Sequence, residues 1–279
     1  MNHLQIHAFA DEASGRISEQ IDAMRRNGLD GLEIRGVDGQ NISDISLEKA
    51  REVRHLMDDA GLSVWSLGSP IGKIGIGEEN FQAHLDRLRH TLELANVLGA
   101  PNLRMFSFYV PQGKADEYRN EVLDRFGQMV RAAEGSGIIL CHENEKGIYG
   151  DMADRCLDLL TVFPEVEGIF DPANFIQCGQ DTAAAWNLLR KRIRYLHIKD
   201  ALPDGRVVPA GKGIGNVKII LDDFREMGGT AVSVEPHLSV FDGLKELEQA
   251  ENRTAVDPWQ YESSDKAFDA ACTALKALL

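Results

Sequence analysis

Short apolar runs alternate with amphipathic stretches along the chain, and the alternation repeats eight times. The runs lie at 4–9, 31–35, 62–67, 101–107, 137–143, 166–171, 193–198 and 230–235. They are apolar throughout rather than strictly alternating, the pattern of strands covered on both faces. Between them, 16–28, 46–60, 79–98, 115–135, 152–162, 181–191, 216–227 and 264–278 read as helices. In the first helix Ile17, Ile21 and Met24 share a stripe that ends at Gly28. Phe81, Leu85, Leu88 and Leu92 repeat that spacing, as do Val122, Phe126, Met129 and Val130. Eight βα units in 279 residues predict one closed (β/α)8 TIM barrel over 1–279, with an open doubly wound sheet as the alternative. One stretch breaks the rhythm, an acidic irregular insertion at 238–262 before the last helix. It contains Glu246, Glu248, Glu251 and the Pro258-Trp259 pair, and reads as a lid or a short solvated helix.

Composition narrows the class. Hydrophobic residues make up 43% and charged residues 27%, enough to bury a full core. The net charge of −14 repels phosphate backbones and anionic membrane surfaces, so neither nucleic acid nor membrane is an expected partner. Cys141, Cys156, Cys178 and Cys272 show no CxxC or framework spacing and read as reduced thiols of a cytoplasmic protein. No basic and apolar leader follows Met1, and no apolar run reaches the ~18 residues of a membrane span.

The chemistry concentrates at strand ends. Glu143, Asp171, His197 and Glu235 each close one of four successive strand runs, so a parallel sheet returns all four to one edge. Three carboxylates converging with an imidazole would repel one another, and a divalent cation between them removes that repulsion. Glu145 shares the strand parity of Glu143 and competes with it, whereas His142 has the opposite parity and is expected to pack outward. Arg35 and Arg104 are placed to clamp an anion, and Trp65 to offer a flat apolar face to a bound ligand. Lys199 and His237 each stand two residues after a strand-end ligand candidate, on the same face. Gly211-Lys212-Gly213-Ile214-Gly215, before a helix, suggests an anion cradle with Lys212 at its centre, or a tight turn. Asp11 and Glu12 read as capping acids, and His3, His55, His84 and His90 as surface or terminal residues.

The segments HENEKGIYGD (142–151), FDPANF (170–175), YLHIKDA (195–201), PAGKGIGNV (209–217) and VEPH (234–237) resemble the xylose-isomerase-like barrel superfamily of sugar phosphate isomerases and epimerases. AFADEAS and LDGLEIRG extend the resemblance over nearly the whole chain. It implies one divalent cation held by Glu143, Asp171, His197 and Glu235, with Mn²⁺ foremost and Mg²⁺, Co²⁺ or Zn²⁺ as alternatives. It further implies that Glu143 and Glu235 transfer the protons. Many members have histidine three residues after the aspartate. Here that place is Asn174, which can hold a hydroxyl but not trade protons near neutral pH. The expected activity is isomerisation or epimerisation of a sugar or sugar phosphate through an enediolate. Dehydration of a keto-inositol would use the same first step. An abasic-site endonuclease needs further strand-end histidines that Arg35, Gly68 and Asn174 do not supply, and a non-catalytic sugar-binding barrel or a Schiff-base Lys199 remain further alternatives. Such barrels are often homo-oligomers, with no interface legible here.

Overall fold

The computed structural model describes residues 3–239 and 261–279. Eight parallel strands form a closed barrel: β1 (Gln5–Ala8), β2 (Gly31–Ile34), β3 (Ser63–Leu67), β4 (Asn102–Met105), β5 (Ile139–Glu143), β6 (Glu167–Phe170), β7 (Ile193–Ile198) and β8 (Ala231–Val234). Each strand pairs with its neighbours in sequence, and β8 returns to β1 with Gln5 opposite Ala231 and Ala8 opposite Val234. That last ladder excludes the open sheet. All eight expected strands and all eight expected helices are present among the described residues, within a few residues of their predicted bounds.

The helices are α1 (Ile17–Arg26), α2 (Leu47–Ala60), α3 (Phe81–Leu98), α4 (Ala115–Ala133), α5 (Ala153–Val162), α6 (Pro172–Gln177), α7 (Thr182–Leu189), α8 (Val217–Glu226) and α9 (Ser264–Lys276). Their starts are written in local chemistry. Ser46, Asn80, Asp181 and Ser263 each accept a backbone N–H of the first turn of α2, α3, α7 and α9. The apolar stripes anticipated on α1, α3 and α4 are buried against the barrel. The insertion expected at 238–262 falls, except at its two ends, outside the described residues.

Three details depart from expectation. The short helix α6 follows β6 directly, because Asp171 caps it and Pro172 occupies its first turn, where a missing N–H costs nothing. Two short hairpins, each with two-residue strands, join 36–37 to 40–41 and 200–201 to 207–208 at the C-terminal mouth. His84 is buried rather than on the surface, and its Nε2 accepts the Gly72 N–H at 2.8 Å. His142 does pack outward, with Nε2 3.0 Å from Ser107 Oγ and its ring against Phe126. All four cysteines are free. Among the described residues no helix is long and apolar enough to cross a membrane.

Candidate metal centre

The ends of β5 to β8 bring Glu143, Asp171, His197 and Glu235 to one point. One donor atom from each lies within 4.8 Å of the others, and all four side chains are buried. Glu143 ends β5, and its Oε1 lies 2.9 Å from His197 Nδ1. Glu235 follows β8 directly, with Oε2 3.4 Å from the same nitrogen. Asp171 is fixed twice over. Its Oδ1 accepts the Asn174 N–H at 3.0 Å, and the Asn144 amide grips its backbone N–H and C=O at 2.9 Å each. Its Oδ2 is buried without a well-directed hydrogen bond, 2.9 Å from the Lys199 ammonium.

The barrel interior beneath the centre supports it. His197 Nε2 lies 3.1 Å from Glu33 Oε2, reached across the barrel from β2. The Tyr195 hydroxyl donates to Glu33 Oε1 at 2.7 Å and lies 3.1 Å from Ser66 Oγ. Fixing one ring nitrogen in this way directs the other at the convergence point. Burial disfavours the imidazolium, yet Glu143 and Glu33 hold the His197 pKa well above its ordinary range. Burial pushes Asp171 up to about 7; Lys199 opposes the rise while Glu235 and Glu143 add to it. Burial acts the same way on Glu235, but Lys199, His237 and His197 hold it well below the carboxylate range. An oxygen-rich set of three carboxylates and one imidazole, with carboxylates this close, fits a hard or borderline divalent cation.

Cations surround the carboxylates. Lys199 Nζ lies 2.9 Å from Glu235 Oε2 as well as from Asp171, and 3.2 Å from His237 Nδ1. Against the pull of burial, those two carboxylates raise the Lys199 pKa, which favours the ammonium over the free amine that a Schiff base requires. Arg104 donates to Glu143 Oε2 at 3.1 Å and to the Gly68 carbonyl at 3.0 Å. Arg35 pairs with Asp11 at 2.8 Å, with Glu12 at 3.0 Å, and with Glu235 at 3.4 Å. Asp11 and Glu12 therefore belong to the site's wall, in a 3-10 turn that precedes α1, and do not cap that helix. Glu12, Glu235 and His237 form a second convergence within 4.8 Å. His237 sits at φ 44°, and its N–H donates to Glu12 Oε2 at 2.6 Å. Such strain in a non-glycine residue persists where its surroundings enforce it.

Not every expected residue reaches the centre. Asn174 does, donating to Glu143 Oε1 at 3.3 Å and to the Asn144 carbonyl at 2.9 Å. Glu145 turns aside to Lys73 at 2.9 Å. Trp65 points into the barrel's lower half, stacked on His7 with centroids 5.1 Å apart and edge-on to Tyr195, away from the mouth. Lys212 is exposed. The glycine loop around it is an anion cradle, but its anion is the chain's own Asp200: Oδ1 accepts Ala201 and Gly215 N–H at 2.9 and 2.8 Å, and Oδ2 accepts Gly211 and Gly213 N–H at 3.0 Å each. Glu33, Tyr195, Asn144 and Asp200 escaped the sequence reading. For Glu33 the signal was present: an acidic residue between Leu32 and Ile34 inside a buried strand needs a partner.

A family model described as xylose isomerase-like TIM barrel matches residues 21–255. No curated protein matches the chain in sequence. Solved structures share its fold at low identity. The IolI protein with a bound zinc atom is 16% identical, with 99% of this chain and 98% of that one covered at a TM-score of 0.75. An L-ribulose 3-epimerase is 18% identical, with 100% and 95% covered at 0.74. The 3-keto-D-glucoside 4-epimerase of E. coli is 16% identical, with 100% and 99% covered at 0.70.

Proposed function

We propose that this chain, which belongs to the xylose isomerase-like TIM barrel family, is a divalent-metal-dependent isomerase or epimerase that moves a proton beside a sugar carbonyl. One observation carries the reading: two glutamates from strands separated by β6 and β7 converge with Asp171 and His197 in a buried cluster at the barrel mouth. The zinc bound to IolI and the two epimerases among the structural relatives support the same direction.

Glu143, Asp171, His197 and Glu235 would hold the cation, with Mn²⁺ the first choice and Mg²⁺, Co²⁺ or Zn²⁺ tolerated by the same set. When bound, it supplies Lewis-acid polarisation of the carbonyl and stabilises the negative charge that develops on proton loss. Glu143 and Glu235 take and return the proton. Each is anchored on its far side by a guanidinium, so its position is set before substrate arrives: Arg104 holds Glu143 and Arg35 holds Glu235. Lys199 keeps a positive charge beside Glu235 and steadies the developing oxyanion. Asn174 cannot shuttle protons; it orients Glu143 and presents its amide to a substrate hydroxyl.

The test is solvent-deuterium incorporation, read by mass spectrometry, across a panel of ketoses, aldoses and keto-inositols with Mn²⁺ present. Deuterium on the carbon next to the carbonyl, abolished by Glu143→Gln, is the expected result. Metal-independent turnover, or full exchange by that variant, would reject the proposal. A product lacking one water would move the assignment to a dehydratase that shares the first step.

A further inference from the structure

We infer that the substrate of this site is an uncharged polyhydroxylated carbonyl compound and not a phosphate ester, with Asp200 the residue that sets this specificity. The inference rests on the proposed isomerase reading and names its substrate class. In (β/α)8 enzymes a substrate phosphate commonly docks on backbone N–H groups of the loops after strands seven and eight. The loop carrying Gly211, Gly213 and Gly215 has the right place and composition, since it follows β7 and leads into α8.

Its donors are already spent. Gly211, Gly213 and Gly215 give their N–H groups to Asp200, Lys212 gives its own to the Pro209 carbonyl at 3.0 Å, and Ile214 to the Ala201 carbonyl at 2.9 Å. All five loop N–H groups are thereby satisfied within the chain. Asp200 is 1% exposed, and each of its carboxylate oxygens accepts two N–H donors, the pattern of an ionised group. The glycines are there to admit it: a Cβ at Gly213 would lie 2.4 Å from Asp200 Oδ1, and one at Gly215 2.6 Å. Gly215 also lies against Pro172, next to Asp171, so the filled cradle adjoins the reaction centre. A phosphate entering here would need to expel a buried carboxylate or face its charge.

The buried cations of the mouth give no second opening. Arg35 faces Asp11, Glu12 and Glu235, Arg104 faces Glu143, and Lys199 faces Asp171 and Glu235. Lys73 faces Glu145. Recruiting Arg35, Arg104 or Lys199 for a phosphate dianion leaves a buried carboxylate uncompensated, which costs more than a surface pair returns. A neutral sugar makes no such demand.

Two measurements test this, one of them independent of turnover. Inorganic phosphate is titrated calorimetrically into metal-free wild-type protein, and no saturable binding is expected. In Asp200→Ala the opened cradle takes a small anion, so formate raises the melting temperature of that variant and not of wild type. Saturable phosphate binding by wild type would overturn the inference, even if the variant does not fold. In the deuterium assay, a free ketose should exceed its phosphate ester in kcat/KM by at least about tenfold. Equal or faster exchange of the ester would overturn the inference and leave the isomerase reading intact. Exchange of neither compound with any divalent ion would reject that reading instead, and the phosphate titration would then decide the inference by itself.

Discussion

Replacing Lys199 by Met isolates the competition between the built-in ammonium and a bound ion. Its Nζ lies 2.9 Å from Asp171 and 2.9 Å from Glu235, and all three side chains are buried. At an effective dielectric of about 20, each contact is worth about 6 kcal/mol of Coulomb attraction, most of it offset by desolvation. Removing the cation strands two buried carboxylates, and the expected net loss in the chelator-treated protein is about 3–5 kcal/mol. A divalent ion takes the same oxygens and no longer meets a positive neighbour, so Mn²⁺ binds the variant at least about tenfold (1.4 kcal/mol) more tightly. Urea unfolding with and without Mn²⁺, together with calorimetric Mn²⁺ titration, measures both quantities. Unchanged stability of the metal-free variant, or equal Mn²⁺ affinity in both proteins, would refute the idea that lysine and ion share these carboxylates.

Other expectations follow from the same geometry. Glu143→Gln keeps the shape of the side chain but loses the base, and deuterium exchange should fall by about 100-fold or more; near wild-type exchange would remove Glu143 from the chemistry. Glu33→Gln removes the carboxylate that orients His197, and calorimetry should show Mn²⁺ affinity reduced about 10- to 100-fold, with no change counting against its supporting role. Burial, with Arg87 adding to it, lowers the His84 pKa from 6.5 to about 4, so the folded state resists a proton that the unfolded chain accepts. The His84 contribution to stability is therefore complete above pH 6.5 and declines as pH falls toward 4, by about 3 kcal/mol. His84→Gln keeps a hydrogen-bond acceptor for Gly72 without titrating, and its stability should fall less steeply over that range; parallel pH curves for the two proteins would exclude the assignment.

The barrel was legible because its periodicity is local. Buried parallel strands must be apolar on both faces, and the Ile17, Ile21, Met24 stripe declares which side of α1 faces inward. The four convergent residues were legible for a related reason: in a parallel barrel, being last in a strand fixes which end a side chain occupies. What was hidden depends on contacts between distant segments. Trp65 was expected to face a sugar, but its position within β3 places it against His7 and Tyr195 in the lower barrel, a depth that strand boundaries do not reveal. Glu33 meets His197 across 164 residues of sequence, a pairing that follows only once the barrel closes. The glycine loop could be read from sequence as either a tight turn or an anion cradle; its N–H groups converge on Asp200, just after β7, a residue that looked like any other polar strand-end position.

The proposed chemistry stands or falls on one ion shared by Glu143, Asp171, His197 and Glu235. Anomalous diffraction from crystals soaked in Mn²⁺ tests it most directly. The expected result is a single strong peak about 2.0–2.4 Å from a carboxylate oxygen of Glu143, Asp171 and Glu235 and from Nδ1 of His197. A peak centred instead on Glu12 and His237, or no peak in crystals that diffract well, would contradict it.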